Sequence, residues 1–282
     1  MKHTTVFDFA SLGLCMATVA KESSTAWEGL GKEHASLQGR LIRLYTKLRP
    51  YLHSIEGTNH LLDSKLGNLR NFASKHGLKE TFHDLAGDHG LAMATSVKIT
   101  MGAEALFDSW SAPQAGGRSV RYKTIRLIST AEIDVFRVGN NRLFKIPTPD
   151  GLNMWLIATP PPKDALSLTE LALDVTPASI RIDRRFKDLV MPVLNIDQTA
   201  SLGWLQGMAT TSASHKINQA KQRVKVEVGA APFENSPLWT PEDNDPSKHV
   251  VLDKGLAGWF TDGHNPVPLA TFYAGQDSWV RV

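Results

Sequence analysis

The chain has 282 residues, 42% hydrophobic and 21% charged, ordinary values for a chain with a sizeable core, and they exclude wholesale disorder. Net charge is +3, from 31 basic and 28 acidic residues, too slight an excess to point to nucleic acid. A lone cysteine, Cys15, excludes an internal disulfide and a Cys-rich zinc site; it reads as a small buried hydrophobe and suits a reducing compartment.

The N-terminal apolar run is broken by Asp8, and Phe7, Leu12, Cys15, Met16 and Val19 share one helical face. The run therefore reads as the first helix of the fold rather than an export signal. No apolar stretch approaches the ~20 residues needed to span a bilayer, so a soluble, cytoplasmic protein without a membrane partner is expected. From 33 to 53, Leu37, Leu41, Leu44, Tyr45 and Leu48 recur at helical spacing, with Arg40, Arg43, Lys47 and Arg49 on the other, solvated side. A further helix carries Leu62, Leu66, Leu69 and Phe72 and stops at His76-Gly77, a C-cap pair.

The character changes at the loop residues 113–117. Strands are predicted over 120–127, 133–138, 142–146 and 152–158, with turns at Asn140-Asn141 and Asp150-Gly151. After Pro160-Pro161-Pro162 a short helix is predicted over 166–173, with Ser167 and Glu170 at capping-box spacing. Strands at 189–196, 224–228, 250–252, 257–260 and 269–273 follow, with a short helix over 199–208. Helices first and strands later argue for an α+β fold, helices packed on antiparallel sheets. One domain is expected, with 1–112 mainly helical and 118–282 mainly β.

The chemistry-bearing motifs are few. His83, Asp84, Asp88 and His89 combine imidazole and carboxylate, donors that suit zinc, iron or manganese. Yet His83 and His89 point to different faces of a helix, Gly87 weakens one, and no second ligand set stands elsewhere. Gly29-Leu30-Gly31-Lys32 lacks the spacing and the Ser or Thr of a phosphate loop. No Gly-x-Ser-x-Gly elbow is present, and the seven tryptophans are too dispersed for a single-strand stacking platform. No catalytic residue, metal or cofactor is assigned.

The most informative stretch is 187–273. The alternating run Arg223-Val224-Lys225-Val226-Glu227-Val228 ends at Gly229-Ala230-Ala231. A polar loop rich in proline and acid follows from Pro232 to Lys248, and His249-Val250-Val251-Leu252-Asp253 opens another strand pair. A structureless loop of this length inside a compact domain is usually functional or disordered.

This order of parts resembles the C-terminal part of a serpin. There a strand ends in a Glu-x-Gly-x-x-Ala-Ala-type hinge, a bait loop follows, and a buried strand pair opens with an Asp-Arg-Pro-Phe-like motif. Glu227, Gly229, Ala230 and Ala231 stand at the hinge, and Asp253-Lys254-Gly255-Leu256 at the later motif. The resemblance covers residues 120–282. The chain departs from it in being shorter, in lacking an Asn-x-x-x-Ser-Pro segment, and in Gly255-Leu256 replacing Pro-Phe. It implies a serpin-like, non-enzymatic protein whose partner is another protein, a protease above all. An inhibitory serpin inserts its cut loop into the central sheet as a new strand. Pro232 follows the hinge here and removes a ladder donor, while Glu234 brings a charge that is costly to bury, so trapping is expected to be impaired. In the bait segment, Glu242, Asp243, Asn244 and Asp245 suit a protease that prefers acid, and Trp239 a chymotrypsin-like one. Two other readings stand beside this: a non-inhibitory serpin-like scaffold, and a metal-dependent enzyme around His83 and His89.

Overall fold

The computed structural model describes residues 4–23, 26–29, 34–55, 58–79, 82–83, 90–101, 105–113, 119–127, 133–148, 150–182, 188–212, 215–229 and 249–282. Three sheets and four helices are built from them. The first sheet has seven strands in the order β1 (Thr5–Phe7), β17 (Ala270–Ala274), β16 (Leu256–Asp262), β9 (Leu152–Ala158), β8 (Asn141–Pro147), β7 (Asp134–Val138) and β10 (Ile180–Ile182). Each of its pairings is antiparallel. The predicted Asp150-Gly151 turn holds, with a φ of 79° at Gly151, whereas the turn expected at Asn140-Asn141 falls one residue earlier, at Gly139 (φ 55°) and Asn140, because Asn141 already pairs with Val138.

The second sheet runs β2 (Trp27–Gly29), β13 (Met208–Thr210), β14 (Lys216–Val228), β4 (Gly90–Met101) and β3 (Asn59–Asp63), with β12 (Leu194–Ser201) also paired to β14. The third runs β15 (His249–Val251), β11 (Asp188–Pro192), β6 (Ser119–Leu127) and β5 (Ala105–Pro113).

One hydrophobic cluster lies where the sheets meet. Phe144, Met154, Leu156, Phe260 and Phe272 of the seven-stranded sheet pack with Val224, Val226 and Val228 of β14 and with Tyr122 and Ile125 of β6. Helix α4 (Ala165–Ala178) covers the other face of the seven-stranded sheet through Leu168, Ala172 and Val175 against Trp155, Trp259 and Tyr273. Strands β16 and β17 are therefore buried on both faces and read as near-continuous apolar runs. Fully burying each such large side chain stabilises by about 1.5–3 kcal/mol.

Helix α1 (Phe9–Ser23) packs Leu12, Cys15, Met16 and Val19 into a second cluster with Leu41, Leu44 and Leu48 of α2 (Ala35–Leu52), so Cys15 is the buried hydrophobe expected of it. The predicted helix face of α2 is correct, with one addition: Gln38 is fully buried, its Nε2 donating to the carbonyls of Trp204 and Gln206 at 2.8 and 3.1 Å. Arg40 is not part of a solvated face. It pairs with Asp164 at 2.7 Å and with Glu170, tying α2 to α4. Helix α3 (Leu66–His76) ends where Gly77 adopts a φ of 65°.

Further sequence expectations change, and Leu62, read with the helix of Leu66, Leu69 and Phe72, lies in β3. Residues 1–112 carry three helices and, interleaved with them, strands β1 to β5 that sequence reading did not separate. The expected helix over 199–208 is the end of β12, a 3-10 turn at Gly203–Leu205 and the start of β13, because Thr199, Ala200 and Ser201 complete the β12–β14 ladder. The strand read over 189–196 is two strands, β11 and β12, in different sheets. The cap of α4 is Asp164, which accepts from the Ser167 amide at 2.9 Å, rather than Ser167 itself. Among the described residues no helix is long and apolar enough to cross a membrane.

Candidate functional site

Strand β14 is the longest among the described residues, and its upper end leads into the predicted hinge. Its neighbour β4 runs parallel to it from Lys216↔Gly90 to Val228↔Met101. Parallel pairing is slightly less stable per residue than antiparallel pairing. A strand turning back from the end of β14 would run antiparallel to both β14 and β4.

The inner face of β14 is set by Ala220, Gln222, Val224, Val226 and Val228, all buried. A bulge between Ile217 and Gln219 resets the alternation, so Ile217 and Ala220 both point inward. The outer face carries Gln219, Lys221, Arg223, Lys225 and Glu227. Glu227, predicted in the hinge, accepts from Lys225 Nζ at 2.8 Å and from Thr100 Oγ1 of β4 at 3.4 Å, and Lys225 above all holds its carboxyl below the ordinary range.

Gly229 has a φ of 85°, and a Cβ there would stand 3.0 Å from Ile125 Cγ2 and 3.4 Å from Val193 Cγ2. Only glycine both adopts this conformation without strain and clears β6. The chain is next described at His249, where β15 runs parallel to β11. The hinge residues Ala230, Ala231 and Pro232 and the bait residues Trp239, Glu242, Asp243, Asn244 and Asp245 lie outside the described residues. Gly255, which departs from the expected Pro-Phe motif, has a local cause: a Cβ would lie 1.9 Å from the Tyr273 hydroxyl.

Below the seam lies a group that sequence reading took only for a break in an apolar run. Asp8 is fully buried and caps α1, its Oδ1 accepting from the Ser11 amide at 2.8 Å. Its own amide donates to Gln222 Oε1 at 2.9 Å. Gln222 Nε2 in turn donates to the Asp8 carbonyl at 2.8 Å and to Thr95 Oγ1 at 3.1 Å. Gln222 and Thr95 are register partners across the seam, so the first turn of α1 is bonded to both strands. Burial pushes the Asp8 carboxyl up to about 7, against the pull of the Ser11 hydroxyl and amide. The signal for Gln222 was its place in the inward series with Val224, Val226 and Val228.

Of the metal-like cluster, His83 is exposed and bonds through its backbone to Gln219, while Asp84, Asp88 and His89 lie outside the described residues. Among the described residues no group of three His, Cys, Asp or Glu side chains converges to hold a metal. Away from the seam, a cavity of about 520 Å³ opens between α2, α4 and the seven-stranded sheet. Leu48, Trp155 and Pro177 line it, with Lys47, Lys145 and His264 among its polar groups.

No family model and no curated protein matches the sequence. Solved structures do. A thermophilic serpin, tengpin, in the native state aligns with a TM-score of 0.57 at 11% identity, over 98% of this chain and 89% of that one. The mouse protein-Z-dependent protease inhibitor gives 0.56 at 10%, over 96% and 90%. Human thyroxine-binding globulin complexed with thyroxine gives 0.56 at 8%, over 96% and 91%. The fold of this chain is the serpin fold.

Proposed function

We propose that this serpin-fold chain is a non-enzymatic protein-interaction protein that presents residues 232–248 to a protein partner, a protease being the partner its fold neighbours suggest. The observation that carries the reading is the β14–Gly229 exit beside a parallel seam, which gives a loop one fixed end and a sheet it can join. The hinge is assigned to Glu227, Gly229, Ala230, Ala231 and Pro232, and the bait to Trp239, Glu242, Asp243, Asn244 and Asp245.

Insertion requires each entering residue to offer an N–H to the ladder and every second one to face the core. Pro232 lacks that donor within the first few residues past the hinge. The protein is therefore a poor trap and a better binder or decoy. Incubation with Glu-specific, chymotrypsin-like and subtilisin-like proteases, followed by a denaturing gel, tests this. The expected result is cleavage between Pro232 and Lys248 without a covalent complex. A covalent band larger than either protein would establish a trapping inhibitor, and neither binding nor cleavage by any protease would sink the bait assignment.

The cavity beneath α2 and α4 favours a second reading, a carrier of a small apolar anion, and one fold neighbour is a binding globulin. Titration with anilinonaphthalene sulfonate, read by probe fluorescence, checks it. Saturable binding lost in Trp155→Ala supports the carrier, and no saturable binding rejects it.

A further inference from the structure

Strand β14 loses regular pairing on both edges at one level. On one edge its ladder with β12 ends at Ser201↔Lys221, and pairing resumes at Ala209↔Lys216 of β13. On the other edge, against β4, the bulge between Ile217 and Gln219 leaves Asn218 without a register partner. Between β12 and β13 the chain makes the 3-10 turn Gly203–Leu205, which Gln38 draws toward α2 through the Trp204 and Gln206 carbonyls. These interruptions open a cavity of about 650 Å³ at the lower end of the second sheet.

Its lining is polar and basic. Lys216, Asn218 and Lys221 come from β14, Ser201 from the end of β12, Gln206 from the exit of the turn, and His83 from the segment after α3. The exposed His83 is fixed there by its backbone: Gln219 Nε2 donates to its carbonyl at 2.8 Å, and Gln219 Oε1 accepts from its N–H at 3.2 Å. Beside it the Phe82 ring is fully buried, and the Lys221 ammonium lies 5.3 Å from the ring centre. An aromatic face attracts a cation. Lys221 is only 9% exposed, so its pull on an anion is less screened than that of a lysine in open solvent. Among the described residues, no carboxylate and no large apolar side chain lines the cavity. A cleft lined by one sign of charge concentrates ligands of the other. The volume is that of a small-molecule site, roughly 300–1,000 Å³, which leaves room for more than an inorganic ion.

We infer that this cavity binds a small organic phosphate, its phosphate drawn to the Lys221 and Lys216 ammoniums and the His83 imidazole, its polar body facing Ser201, Gln206 and Asn218. The cavity lies at the end of β14 opposite Gly229 and does not depend on the loop reading above.

Calorimetric titration of the intact chain at low ionic strength tests the site, with glucose 6-phosphate and adenosine 5′-monophosphate as probes. Saturable one-to-one binding of at least one is expected, with glucose, adenosine and inorganic phosphate weaker. Lys221→Gln should weaken it about tenfold or more, the loss of one charge-assisted bond. Gly203 keeps the test open should Lys221→Gln fold poorly: a Cβ there meets nothing within 4 Å, so a side chain is carried without a clash. Gly203→Glu sets a carboxylate at the edge of the cavity and should also weaken binding about tenfold or more. Gly203→Gln, the same shape without the charge, should stay within about twofold of wild type. No saturable binding of either probe overturns the site. So does equal weakening by the two Gly203 variants, or by Lys254→Gln at an exposed lysine outside the cavity. Inorganic phosphate binding as tightly as both probes overturns the organic body of the ligand.

Discussion

The seven-stranded sheet and the second sheet share one core and differ in how they close. In the first, each strand pairs antiparallel, and β16 and β17 are sealed between the common core and α4. In the second, the long strands β4 and β14 meet parallel, and polar side chains do much of the holding: Gln222 and Thr95 over Asp8 inside, Arg223 and Gln219 bonded to the backbones of His76 and His83 outside. Packing is non-directional and tolerates little change, whereas a few bonds across a parallel seam can be broken and remade. The first sheet is held by packing, and the second leans on a few directional bonds.

Substitutions at the two places should separate these roles. Phe272→Ala empties a fully buried site of the first sheet and should lower stability by about 3–5 kcal/mol, read from denaturant unfolding, with little local effect at the seam. A second test is pH. The Asp8 carboxyl stands at about 7 in the fold and near 4 in an unfolded chain. The folded state therefore holds a proton that the unfolded state has lost between these values. Its contribution is greatest at the acid end and falls as pH rises from about 4 to 7, by about 4 kcal/mol in all at 1.36 kcal/mol per pH unit. Asp197, held low by Arg223, acts in the opposite sense, losing its contribution in acid. The difference between wild type and Asp8→Asn isolates the first effect: Asp8→Asn should gain on wild type as pH rises through that window, and parallel curves would remove the carboxyl from the account.

Gln222→Leu keeps the volume but orphans the Asp8 amide and carbonyl, and should cost about 2–4 kcal/mol. A cost no larger than that of an exposed substitution would mean the seam is held by packing after all. Smallest is Thr100→Val at the exposed upper rim, above the bonds of Gln222 and Arg223. It should stay within about 0.5 kcal/mol, and a larger loss would extend the bonded stretch of the seam upward.

The sequence was legible where one face of an element is wet. The stripe Leu41, Leu44, Tyr45, Leu48 marks α2, and the alternation of 223–228 ending in Gly229 marks the exit of β14. It was opaque where both faces are covered. Strand β4 has the core beneath Met93, Val97 and Ile99 and α3 above Ala92 and Ala94, so its residues show no clean two-residue period. The lower half of β14 hid behind its bulge and its polar outer row. Asp8 read as a polar interruption and Gln38 went unmarked because their partners, Gln222 and the Trp204 and Gln206 carbonyls, are remote in sequence. Gln219 and Arg223 gave no signal, since a surface glutamine and arginine look alike whether or not a helix end lies over them.

The pairing of β1 with β17 joins Thr5 to Tyr273. During synthesis β1 emerges long before β17, its only described sheet partner. The meander β7–β8–β9 can form from neighbours in sequence, but the sheet's far edge cannot. Such long-range closure makes folding slow and leaves α1, with its apolar face and its buried acid, waiting in the nascent chain for strands made much later.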